Sequence, residues 1–96
     1  MQQTENQPEV AGSWTTAAGN RLYLMARRGT GYASIWLDSR PEPARIGKVR
    51  RDGASVLGIE WGEPHRGQTI EWKAAQRHEV EQALRAWETP PTTSSV

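Results

Sequence analysis

The chain has 96 residues, with twelve lysines and arginines against eleven aspartates and glutamates, a net charge of +1, and no cysteine. That length predicts one domain, able to bury only around 60–65% of its unfolded surface. The missing cysteines exclude disulfides, thiolate zinc sites and cysteine nucleophiles.

Hydrophobic residues make up 35% of the chain and mean hydropathy is −0.78, so the core must be thin. Five tryptophans compensate, each able to bury on the order of 150–250 Å². Met1–Glu9 lacks the basic start and apolar run of a signal peptide. No apolar stretch approaches the roughly 20 residues of a membrane span. The expectation is a cytoplasmic protein that does not enter a membrane.

Residues 1–10 and 89–96 are polar and rich in Gln, Pro, Thr and Ser, and are expected to be disordered tails around one domain at 11–88. Within that domain, turn signals at short intervals predict an antiparallel meander. A first strand lies around Trp14, in 12–17, and Ala18-Gly19-Asn20 turns the chain. Residues 20–28 and 32–39 alternate apolar and polar positions on either side of Gly29-Thr30-Gly31. Pro41-Glu42-Pro43 cannot sit in a central strand. A third long strand follows at 44–51. Asp52-Gly53 is the strongest hairpin signal and leads into a strand at 55–61. Residues 68–73, with Ile70 and Trp72, read as a short last strand. From 74 to 88 the period changes: Val80, Ala83, Leu84 and Trp87 form the stripe of an amphipathic helix. The predicted fold is α+β, a sheet of five or six antiparallel strands with one C-terminal helix on one face.

The helix stripe is expected to pack on Leu22, Leu24, Ile35, Leu37, Leu57 and Ile59. Alternation then leaves an uncovered face with Tyr23, Met25, Arg27, Tyr32, Ser34, Trp36, Arg45 and Arg51. Ile46 and Val49 cannot both point inward without a bulge, and a one-residue slip puts Lys48 and Arg50 on the open face instead. Either register makes that face basic. Between residues 21 and 52 there are eight basic side chains and three acidic ones, an excess of five inside a nearly neutral chain.

The order of elements, strands and then one helix, is similar to small single-stranded-DNA-binding modules and to arm-type DNA-binding domains of phage integrases. The similarity is one of architecture, without a signature motif of either group. It agrees with what the residues themselves suggest: aromatic rings on a sheet can stack unpaired bases while cations hold the backbone.

Enzymatic clusters are missing from the sequence. His65 sits in a Gly/Pro loop and His78 lacks a second histidine four residues on, so neither makes a helical zinc site. Glu60 and Glu63, or Glu79 and Glu81, are not placed to share a pocket. No G-x-S-x-G or phosphate-binding loop is present. Trp61, Trp72 and Trp87 read as core. The expectation is a non-enzymatic binding module without cofactor or metal. Its contact residues are Arg27, Arg28, Tyr32, Trp36, Arg45, Lys48, Arg50 and Arg51, and its leading partner is nucleic acid. The competing reading is a protein-interaction or inhibitor module that gives the same face to an acidic protein surface or to a second copy of the chain.

Overall fold

The computed structural model describes residues 7–89; the readings made for residues 1–6 and 90–96 lie outside the described residues. Five strands, β1 (Glu9–Thr15), β2 (Arg21–Ala26), β3 (Tyr32–Leu37), β4 (Ala44–Asp52) and β5 (Ser55–Trp61), form one antiparallel meander in sequential order. A short 3-10 turn at His65–Gly67 leads to the helix α1 (Ile70–Glu88), which crosses one face of the sheet. Glu9 and Val10, read with the N-terminal tail, instead open β1.

The sixth strand does not form. Ile70 and Trp72 alternate as strand residues would, but they occupy the first turn of α1. Thr69 decides this: its hydroxyl accepts the Trp72 backbone N–H at 3.0 Å, capping one of the helix's unpaired donors. Glu71 in the first turn suits the positive end of the helix dipole.

The core follows the predicted alternation on β2 and β3. Leu22, Leu24, Ala26, Ala33 and Ile35 are buried beneath Val80 and Leu84 of α1. Gly12 lets the helix approach: a Cβ there would lie 2.6 Å from the Ala83 Cβ. The buried Gln76 side chain is paired at both ends. The Trp14 Nε1 donates to Gln76 Oε1 at 2.8 Å, and Gln76 Nε2 donates to the Trp72 carbonyl at 3.1 Å. Trp61 and Trp72 meet edge to face at 5.0 Å, and both pack in or against the core, as does Trp87.

Bulges account for the departures on β4 and β5. Ile35 pairs with Gly47 and Trp36 with Arg45, leaving Ile46 as an extra residue in β4. The bulge allows Ile46 and Val49 both to be buried. Gly47 fits because a Cβ would come within 3.2 Å of the Trp61 ring. A second bulge pairs Arg50 with Gly58 but Arg51 with Val56, so Leu57 has no partner. Leu57, expected in the core, is therefore 58% exposed, and Val56 is buried in its place.

Candidate functional site

The face of the sheet opposite α1 is organised by cross-strand rows. One row runs Ser13, Tyr23, Trp36, Arg45. The next runs Val10, Met25, Ser34, Lys48, Glu60. A third joins Tyr32, Arg50 and Gly58. On β4 each row holds a cation, so Arg45, Lys48 and Arg50 line up beside Trp36, Ser34 and Tyr32 of β3. The Ile46 bulge creates this line. Arg45 and Lys48 are three residues apart, and strict alternation would send them to opposite faces.

The aromatic part is continuous with the basic one. Tyr23 and Trp36 stack with ring centroids 6.5 Å apart and planes 12° from parallel, within the range of favourable offset pairs. Tyr32 is 66% exposed and separates two shallow grooves. The first, about 340 Å³, is walled by Met25, Arg27, Ser34 and Trp36, with Pro8 at its rim. The second, about 460 Å³, is walled by Lys48, Arg50, Ile59 and Glu60. Glycine at position 58 leaves room on β5 for the Arg50 guanidinium, since a Cβ there would lie 3.7 Å from its Nη2.

Among the described residues, Arg27, Arg45, Lys48 and Arg50 form no ion pair. Glu60 stands opposite Lys48 in the ladder without closing to 4.0 Å. Arg66, not anticipated from the sequence, shares a smaller groove with Arg45, Lys48 and Glu60 at the end of β5. Its guanidinium pairs with Glu63 at 3.2 Å.

Two of the anticipated contact residues belong elsewhere. Arg51 is 3% exposed and points to the helix side, because alternation from buried Val49 carries it inward. Its guanidinium donates to the carbonyls of Arg27, Tyr32 and Gly53 and to Glu88 Oε2 at 2.7 Å. These bonds tie both neighbouring hairpin turns to the end of α1. Arg28 also turns to that end, lying 4.1 Å over the Trp87 ring and 3.5 Å from Glu9. Trp87 Nε1 in turn donates to Glu9 Oε1 at 3.0 Å. Arg51 is thus a buried tie within the fold, while Arg28 stays exposed but turns to the helix end and away from the open face.

The histidines do not add a reactive cluster. His65 is half-buried and stacks on Trp72 at 5.8 Å, and His78 is exposed on α1. Among the described residues, no three His, Asp or Glu side chains are grouped to hold a metal ion. No helix among them is long and apolar enough to cross a membrane. Compared with known proteins, the chain matches no family model, and no curated protein or solved structure is significantly similar to it.

Proposed function

We propose that this protein is a small non-enzymatic binding module that takes nucleic acid on its open sheet face, in the cytoplasm. The observation that carries the reading is the row Arg45, Lys48, Arg50, without ion-pair partners among the described residues and set beside Tyr32 and Trp36. Arg27 extends it at the rim of the Tyr32 groove. Cations held this way attract phosphates, and each phosphate they neutralise releases counterions.

Fluorescence anisotropy of a labelled oligonucleotide, titrated with the full chain at two ionic strengths, tests this. Four cations predict a slope of log affinity against log salt of about −3 for a single strand. Replacing Arg45, Lys48 and Arg50 together by Gln is expected to flatten that slope by about 2. Absence of binding at low salt overturns the proposal.

A second reading is favoured by the apolar half of the same face, where Tyr23, Met25 and Trp36 adjoin. Such a patch also suits an acidic protein surface or a second copy of the chain, with aromatic and arginine side chains as anchors. Sedimentation analysis separates the two. A stable dimer that does not bind oligonucleotide favours the protein contact.

A further inference from the structure

We infer that the open face binds its nucleic acid as an unpaired strand, with a base against Tyr32, a second at Trp36, and the phosphates along β4. This rests on the nucleic-acid reading above and identifies the form of the ligand.

The first ground is the placement of the rings. Tyr32 and Trp36 lie on the same face of β3, four residues and so about 13 Å apart along the strand. Tyr32 stands out from the surface with a groove on each side. Trp36 is half-buried and its orientation is set by the parallel Tyr23 ring. Such rings offer flat faces to bases, which are free to accept them only when the bases are not already stacked in a duplex.

The second ground is the cation track. Arg45, Lys48 and Arg50 oppose Trp36, Ser34 and Tyr32, so the track follows the ring row on the adjacent strand, about 4.8 Å away. Glu60, beyond Lys48 on β5, discourages a phosphate backbone from crossing to that strand and keeps it along β4. Base and backbone sites therefore run side by side in one direction.

The third ground is what a duplex would meet. Reading a duplex requires an element able to enter a groove about 12 Å wide. The open surface is instead a five-stranded sheet, about 19 Å across its strands. Its long hairpins close in tight turns at Gly29 and Gly53. The helix lies on the other face and carries Glu71, Glu79, Glu81 and Glu88 against Lys73, Arg77 and Arg85. A duplex gains phosphate contacts here and nothing for the rings to hold.

The test compares three probes, each at the same two ionic strengths: an oligothymidylate of about 12 nucleotides, the same strand paired with its oligoadenylate complement, and heparin. The full chain is expected to bind the single strand at least about tenfold more tightly than the duplex. Tyr32→Ala is expected to weaken single-strand binding about 5- to 150-fold, the loss of one stacked base. Duplex binding and the salt slope stay unchanged. Tyr32→Phe keeps the ring and is expected to keep the affinity, which separates stacking from any effect on folding. Duplex or heparin binding as tight as the single strand overturns this inference and leaves the anionic-face reading standing. Failure to bind either nucleic acid at low salt overturns both.

Discussion

Arg50 and Arg51 are consecutive in β4, and the strand sends them to opposite faces of one sheet. Arg50 reaches across Gly58 on the open side, with no ion pair among the described residues. Arg51 is enclosed beneath the end of α1, its donors spent on three carbonyls and one carboxylate. The same side chain is a solvated charge in one place and a structural tie in the other. A count of basic residues cannot tell these uses apart; the pairing of the strand can.

The contrast can be broken most severely from the covered side. Arg51→Ala removes the partner of Glu88 and takes one donor from each of three carbonyls, of which Arg27 and Tyr32 keep a bond from Thr30. The expected loss is about 3–5 kcal/mol, read as a lower midpoint in urea unfolding. A change under about 1 kcal/mol would show that the buried arginine is not a tie after all.

The next effect belongs to the helix approach. Gly12→Val places branched carbon where even a Cβ would overlap Ala83, so α1 must shift away from β1. We expect a loss of about 1–3 kcal/mol. Pairing it with Ala83→Gly should recover part of that loss, because the two positions touch. A purely additive double variant would place the strain elsewhere.

The smallest stability effect is expected on the open side. Gln in place of Arg45, Lys48 and Arg50, one at a time, should leave the unfolding midpoint within about 0.5 kcal/mol of the parent. If one of them destabilises the chain as Arg51→Ala does, the division of labour between the faces fails.

Much of the fold was legible because its strongest signals were periodic. The alternation in β2 and β3 and the Val80–Leu84 stripe are enough to identify the covered face. The Thr69 cap was present in the sequence but was outweighed by Ile70 and Trp72, whose spacing of two mimics a strand. Leu57 was misplaced because alternation was carried through a bulge that exposes it and buries Val56.

Of the candidate site, the shared face was legible in the sequence and the side-chain directions were less so. Tyr32, Trp36, Arg45, Lys48 and Arg50 were named from alternation and its one-residue slip, and they do share a face. The two registers that alternation allows for β4 both occur, one on each side of the bulge. The bulge admits Arg45 from one register and Lys48 and Arg50 from the other. Arg28 follows the end of β2, where strand period no longer governs direction, and only the position of Trp87 explains its turn toward the helix. Gly47 and Gly58 were passed over, although glycine inside a strand is itself a sign of a bulge or close approach.

The single extra residue at Ile46 acts as a phase shift in an otherwise two-beat pattern. Upstream of it, odd positions of β4 face outward; downstream, even positions do. An unbroken strand obeys one parity throughout and would set Arg45 against Lys48 and Arg50. By changing parity once, β4 collects three charges on one side while keeping Ile46, Val49 and Arg51 on the other. Deleting one residue there would reverse the facing of every upstream position in β4, so the length of this strand shapes the basic face as much as its composition does.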